Sequence, residues 1–307
     1  MSPIRSRCAV NLSRRRVLLA GATAAALAAS GYRGVATADP VPPIEAGLAA
    51  LEDQYNAKVG FYGRNLGSGR MLGYRDNDLF ATCSAFKAYV AAQILQKDQR
   101  GELRLTDEVY IDPALFVPVA SPITEPNVGD WMSLSDLCAA AVRQSDNTAT
   151  NLMLEILGGP ASVTQFARSV GDDRTWMVRW ETDLNTAYPG DPRDTSSPRG
   201  MGTGFLNMLT GDVLDEPHRN QLREWMLTIV TGDNRIRAGL PPGWTIADKT
   251  GAGDYASTND IGLAFGPGDE RLLLSVMTRT RSDDPKAPRS DALLGDVTRL
   301  VVPWLLA

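Results

Sequence analysis

Ser84-Ala85-Phe86-Lys87 sets a hydroxyl and an amine at positions i and i+3, one helical turn apart. A serine is a poor nucleophile until a neighbouring base takes its proton, and this spacing brings a lysine within reach. By itself the pattern is weak, because 18 serines and 5 lysines in 307 residues give about 0.3 such matches by chance. Its weight comes from three stretches that follow in order: Ser145-Asp146-Asn147, Glu181-Thr182-Asp183-Leu184-Asn185 and Lys249-Thr250-Gly251. The four together read as serine acyl-transfer chemistry that uses no histidine. Lysine usage points the same way. The chain holds 26 arginines against 5 lysines, yet Lys87 and Lys249 fall in two of the four stretches. Arginine stays charged at any working pH, whereas a buried lysine can give up its proton and act as a base.

Composition bounds the rest. A chain of 307 residues that is 43% hydrophobic can bury a substantial core, and nothing in it suggests a fibrous or disordered chain. Residues 1–38 carry six arginines and no acid, and removing them takes the net charge from −5 to −11, a balance that excludes a nucleic-acid backbone as partner. That segment resembles a twin-arginine export signal. Ser13-Arg14-Arg15-Arg16-Val17-Leu18 opens an apolar run to about Ser30, and Ala36-Thr37-Ala38 offers a small-residue cleavage site. The run is shorter than the ~20 residues of a membrane span, so no stable anchor is expected after cleavage. The only histidine, His218, lies in the polar stretch Asp215 to Asn220 and is expected at the surface. With no Cys-x-x-Cys pair either, neither a metal nor another cofactor is expected. Cys83 abuts Ser84 and reads as a packed small hydrophobe, not a bridge partner.

Along the chain, Ile44, Leu48, Leu51 and Tyr55 recur at helical spacing. Val59 to Tyr62 and Arg70 to Tyr74 flank Leu66-Gly67-Ser68-Gly69, a hairpin signal. Three more strands are expected at Trp244 to Asp248, Ile261 to Phe265 and Arg271 to Thr278, with a closing helix over about Ser290 to Leu306. Between these halves, helices are expected at Leu134 to Val142, Ala149 to Leu157, Pro160 to Val170 and Asn220 to Ile229. The expectation is an α/β lobe made from about 43–83 and 230–307, and an all-helical lobe of about 84–229 inserted between them. Residues 39–307 would form the catalytic domain, and the segments at Ser84, Ser145 and Lys249 would meet where the lobes join.

In these motifs the chain resembles the class A serine β-lactamases, from about Pro43 to Leu306. The resemblance implies the two-lobed fold of those enzymes and of penicillin-binding proteins: a five-stranded antiparallel sheet flanked by helices, with an all-helical lobe. It also implies hydrolysis of a β-lactam amide, hence antibiotic resistance, by a monomer. Ser84 would form the acyl-enzyme, with its own N–H and that of Ala252 as oxyanion hole. Either Lys87 or Glu181, acting through a water, would take the serine proton. Ser145 would pass a proton to the departing nitrogen in the field of Lys249, Asn147 would hold the substrate's side-chain amide, and Thr250 and Gly251 would line the substrate strand. Glu181 and Asn185 would position the water that hydrolyses the ester, on an Ω-loop closed by an Arg179–Asp194 pair.

The chain departs from the family pattern in places. Thr258 stands where many members carry a carboxylate-binding arginine, and Arg235 resembles the alternative arginine of actinobacterial members; Arg237 is expected to face elsewhere. Ala120 replaces an aromatic at the cleft entrance. Gly253 and Ala91 stand where some members place disulfide partners for cysteines like Cys83 and Cys138. Two rival readings stand beside this one: a D,D-peptidase, which shares the Ser84, Ser145 and Lys249 motifs, and a penicilloyl-binding sensor. Glu181 and Asn185 speak against both.

Overall fold

Strands from the two ends of the chain meet in one sheet. The computed structural model describes residues 43–307. In chain order it comprises α1 (Ile44–Gln54), β1 (Ala57–Asn65), β2 (Met71–Tyr74), β3 (Phe80–Ala81), α2 (Lys87–Gln99), β4 (Glu108–Tyr110), β5 (Trp131–Ser133) and α3 (Leu134–Arg143). Then follow α4 (Asn147–Leu157), α5 (Pro160–Ser169), β6 (Thr195–Ser196), α6 (Pro198–Thr210), α7 (Glu216–Leu227), α8 (Ile236–Gly239), β7 (Thr245–Ala252), β8 (Thr258–Phe265), β9 (Arg271–Thr280) and α9 (Asp291–Leu306). The main sheet is antiparallel in the order β2-β1-β9-β8-β7.

β1 is buried along nearly its whole length because both faces of the sheet are covered. Val59 and Phe61 join Leu274, Val276, Leu294, Val297 and Val301 in an outer core beneath α1 and α9. The opposite face carries Gly60 and Tyr62 and meets α6. A Cβ on Gly60 would lie 2.7 Å from Pro198, and one on Gly202 would lie 3.1 Å from Tyr62, so the small residues let the helix and sheet approach. The hairpin expected at residues 66–69 forms: Asn65 Oδ1 accepts from the amides of Gly67 and Ser68.

The second core surrounds α2, which is apolar on all sides from Ala88 to Leu95 apart from Gln93, as befits a helix inside a core. α3, α4, α5 and α7 pack around it through Leu137, Met153, Phe166 and Met226. Local chemistry sets their starts. Ser133, Asp146 and Asp215 each accept an amide of the first turn of the helix they precede, and Gly158 ends α4 at φ +87°. His218 departs from expectation. Half-buried, it bridges Asp215 Oδ1 (2.5 Å) at the start of α7 and Asp98 Oδ2 (2.8 Å) near the end of α2. Its local sequence is polar, and the partner that draws it inward lies 120 positions away.

Cys83 and Cys138 are buried free thiols, and burial pushes both up from their ordinary range. Among the described residues no helix is long and apolar enough to cross a membrane. The export signal expected over residues 1–38 lies outside the described residues.

Candidate active site

A 3₁₀ turn, Cys83–Phe86, delivers Ser84 to the first turn of α2, and Cys83 takes φ +42°, a left-handed conformation that bulkier neighbours normally leave to glycine. The strand β7 presses against this turn. A Cβ on Gly251 would sit 2.7 Å from the carbonyl oxygen of Thr82 and 3.1 Å from the amide nitrogen of Ala85, so only glycine allows the contact. Asn259 on β8 holds the turn from the same side, donating from Nδ2 to the carbonyls of Ala81 and Thr82.

Lys87 is fully buried and its Nζ has three acceptors: Ser145 O at 2.7 Å, Asn147 Oδ1 at 2.5 Å and Glu181 Oε1 at 3.0 Å. Burial pulls the amine below its ordinary range, and Glu181 and Asp146 pull the other way. Ser84 Oγ donates to the same Glu181 Oε1 at 3.4 Å. The second carboxylate oxygen, Oε2, accepts from Asn185 Nδ2 at 2.5 Å. Asn151, one turn beyond Asn147 on α4, clamps the backbone of Glu181 in both directions, at 2.9 and 3.0 Å. Nothing in the motifs singles out Asn151; its i+4 spacing from Asn147 was the available signal.

Ser145 sits at φ +60° immediately before α4. Between it and Asn147, the wholly buried Asp146 turns away and accepts from Ala149 N, Ile123 N, Thr124 N and Thr124 Oγ1, all within 3.0 Å. The middle residue thus anchors the loop while its neighbours face the cleft. Asn147 Nδ2 also donates to Val119 O at 2.8 Å. Lys249 Nζ donates to Ser145 Oγ (3.2 Å) and Thr250 O (3.0 Å). Complete burial, with Lys87 and Arg235 as like charges, pushes Lys249 down to about 7. Thr250 Oγ1 shares a hydrogen bond of 2.6 Å with Thr231 Oγ1.

Arg235 is buried at the floor of the same cleft. Its Nη1 donates to Gly251 O (2.9 Å) and Asn259 O (2.8 Å), and its Nε to Asp291 Oδ1 (3.0 Å). Nη2 has no acceptor among the described residues. Arg237 points the other way, to Asp233 and to Asp248 Oδ1 at 3.0 Å. Asp248 and Asp260 are both buried, and burial pushes both carboxyls up. Arg237 is therefore the counter-ion of a buried acid, a duty its sequence neighbours did not disclose.

The loop carrying Glu181 is closed at its neck. Arg179 Nε meets Asp194 Oδ2 at 2.5 Å, while Asp194 Oδ1 accepts the amides of Val178 and Arg179. With Asp194 buried and Arg179 largely so, removing one partner would strand the other charge.

Ser84, Ser145, Asn147, Asn185, Arg235, Thr250, Gly251 and Ala252 line one cleft of about 510 Å³, together with Ala120, Thr182, Thr231, Arg289 and Asp291. Volume alone does not locate the chemistry. A wider groove of about 750 Å³ beside Gln93, Gln96 and Gln165 holds no nucleophile paired with a base.

A hydroxyl, a carboxylate and two buried amines, gathered where the edge strand β7 meets the helical core, define a serine acyl-transfer hydrolase. Residues 43–305 match the Beta-lactamase enzyme family. The chain is 40% identical over 294 residues to a β-lactamase of Streptomyces fradiae, covering 94% of this chain and 95% of that protein. It is 39% identical to β-lactamase FAR-1 of Nocardia farcinica, over 84% of this chain and 82% of the relative. Among solved structures, a β-lactamase from Desulfarculus baarsii superposes with a TM-score of 0.82 at 39% identity, over 86% of this chain and 97% of that one. An ancestral class A β-lactamase superposes at 0.81 with 42% identity, over 85% of this chain and all of that one. The chain belongs to the class A serine β-lactamases.

Proposed function

We propose that Ser84 opens the β-lactam ring as nucleophile and that Glu181, held by Lys87 and Asn185, serves the proton transfers. The observation that carries this reading is Glu181 Oε1, which lies within 3.4 Å of Ser84 Oγ and 3.0 Å of Lys87 Nζ. Three acceptors around Lys87 Nζ match the three donors of an ammonium, which favours Glu181 over Lys87 as the acceptor of the serine proton. Ser84 Oγ then bonds to the lactam carbonyl carbon and the C–N bond breaks. Ser145, under the field of Lys249, passes a proton to the departing nitrogen and is reprotonated by the proton Glu181 took from Ser84, handed on through Lys87, so that Glu181 is again a carboxylate. The close approach of Gly251 to the 82–85 turn supports an oxyanion hole made of the Ser84 and Ala252 amides.

In the second half, a water between Glu181 and Asn185 loses a proton to Glu181 and attacks the ester; the ester C–O bond breaks and Glu181 returns that proton to Ser84 Oγ. Asn147, with one Nδ2 hydrogen engaged by Val119 O and the other free, is suited to hold the substrate's side-chain amide. The unpartnered Nη2 of Arg235 is suited to the substrate carboxylate, with Thr250 and Gly251 beside it. The β-lactam antibiotics are the substrates, and resistance to them is the outcome.

Residues 1–38 are assigned the role of a twin-arginine export signal, and the mature enzyme is assigned as an exported monomer of residues 39–307. Its division into an α/β lobe (43–83 and 230–307) and a helical lobe (84–229) is supported by the two cores, although α6 lies against the sheet. The test is turnover of a chromogenic cephalosporin by residues 39–307. Many turnovers per protein are expected, with none in Ser84→Ala and an accumulating acyl-enzyme in Glu181→Ala by intact mass, because Lys87 remains to serve acylation while the water has lost its base. A penicilloyl adduct on Ser84→Ala would sink the assignment of the nucleophile, and a single turnover by the unmodified chain would favour the sensor.

A further inference from the structure

The turn joining β7 to β8 is built from unfavourable residues. Asp254 O accepts from Ser257 N at 3.1 Å, and the two residues between, Tyr255 and Ala256, have φ of +55° and +52°. A two-residue hairpin of this hand prefers Asn-Gly, because both central positions are left-handed. A tyrosine and an alanine there are held by their surroundings. Tyr255 N donates to Pro285 O at 3.0 Å, and Tyr255 O accepts from Thr280 N at 2.8 Å. Backbone outliers fixed by tertiary contacts collect where a side chain must be aimed.

The Tyr255 ring is aimed at the Ω-loop. It meets the ring of Tyr188 edge-to-face, with centroids 5.8 Å apart at 82°. Tyr188 is 65% exposed and follows Ala187, itself left-handed at φ +45°. The same turn grips the loop through its backbone, Asp254 N donating to Asn185 O at 2.9 Å. Asn185 in turn holds Glu181 Oε2. A continuous path runs from the aromatic pair, through the backbone of Asn185, to the carboxylate.

We propose that Tyr188 and Tyr255 form a latch that positions Asn185 on Glu181 and so serves hydrolysis of the acyl-enzyme more than its formation. The proposal rests on the reading of Glu181 as the base for the deacylating water. The pair touches no substrate; it acts by holding the loop against the turn. Ser84, on the 83–86 turn, meets Oε1 of Glu181, which Lys87 also holds, whereas the latched Asn185 meets Oε2, so loosening the latch disturbs the deacylating water more than the Ser84–Glu181 contact.

The test measures acylation and deacylation separately, by stopped flow and quenched intact mass with benzylpenicillin, in Tyr188→Ala, Tyr255→Ala and the two Phe variants. Deacylation is expected to fall about two- to tenfold in each Ala variant, the scale of one aromatic pair. Acylation should hold within about twofold, and the Phe variants, which keep the edge-to-face contact, should restore deacylation. Tyr188 is exposed, so its truncation opens no core and the test does not depend on the fold surviving. Equal losses in both steps, or no rescue by Phe, would overturn the latch. Glu181→Ala separates the two ideas. If it accumulates acyl-enzyme while the Tyr variants do not, the latch alone fails; if it accumulates none, the reading of Glu181 fails.

Discussion

Lys249 shows how one buried amine carries a pH dependence into catalysis. With burial holding its folded value down at about 7, it loses charge as pH rises, and the field that we assign to it at Ser145 fades. kcat/KM reports free-enzyme ionisations, so its alkaline limb should fall with an apparent midpoint near that value. Lys249→Arg, which stays charged, should move the limb up by at least about two pH units; an unmoved limb would assign it to another group. Arg235 and Arg237 differ in kind despite lying two residues apart. Arg235→Ala should raise KM for penicillins by the equivalent of about 1 to 3 kcal/mol with a smaller effect on kcat. Arg237→Ala should leave KM near its original value but lower the urea midpoint, because buried Asp248 loses its cation. Equal kinetics for the two variants on benzylpenicillin would remove Arg235 from the site.

At the scale of elements, His218 ties α7 to α2, and the tie is charge-dependent. Burial opposes its protonation, but hydrogen bonds and charges from Asp98 and Asp215 outweigh burial and raise its folded value above the ordinary 6.5. The stabilisation is therefore fully present below about pH 6.5 and is lost as pH rises through the raised folded value. His218→Gln should cost more stability at about pH 5.5 than at about pH 9 in urea melts. An equal loss at both would mean the bridge is uncharged. The same residue marks the limit of what was legible. Both outer helices, the hairpin at 66–69 and strands at 261–265 and 271–278 were readable from period and turn chemistry. β8, however, begins at Thr258, three residues before the apolar signal, because Asn259 and Asp260 are buried polar groups, Asn259 Nδ2 donating to the Ala81 and Thr82 carbonyls and Asp260 Oδ2 accepting from Ile236 N. α6 gave no helical signal, since Gly200, Gly202 and Gly204 break its period where Arg174, Tyr62 and Tyr89 crowd it. The two-stranded ladders β3–β6 and β4–β5 are two or three residues long, too short for any period. The motif residues were legible because chemistry restricts them; Asn151 was not, because its role exists only across the fold.

Across the whole molecule, the 82–86 turn and the end of β7 lock the two cores together, and Gly253 lies at that seam. A Cβ placed on Gly253 falls 2.8 Å from Cys83 Sγ, close to what a disulfide with an S–S bond of about 2.04 Å requires. Gly253→Cys should therefore oxidise to a bridge, read as the loss of two hydrogens by intact mass and a gain in unfolding free energy from urea melts of up to about 5 kcal/mol for so long a loop. The same Cβ lies 2.7 Å from Asn185 O, so the bridge should shift Asn185 and slow deacylation. Free thiols persisting under oxidising conditions would refute the geometry. The pairing of β1 with β9 has a different consequence, in the order of events during synthesis. Ala57 and Thr280 are partners separated by 223 positions, and β1 has no other neighbour in the sheet except the short β2. Contacts of such long range close late, after the loop entropy between them has been overcome. The apolar face of β1, Val59 and Phe61, must wait unpaired until nearly the whole chain has left the ribosome. The longer that strand stays exposed, the longer the nascent protein is open to aggregation, whatever the strength of the finished sheet.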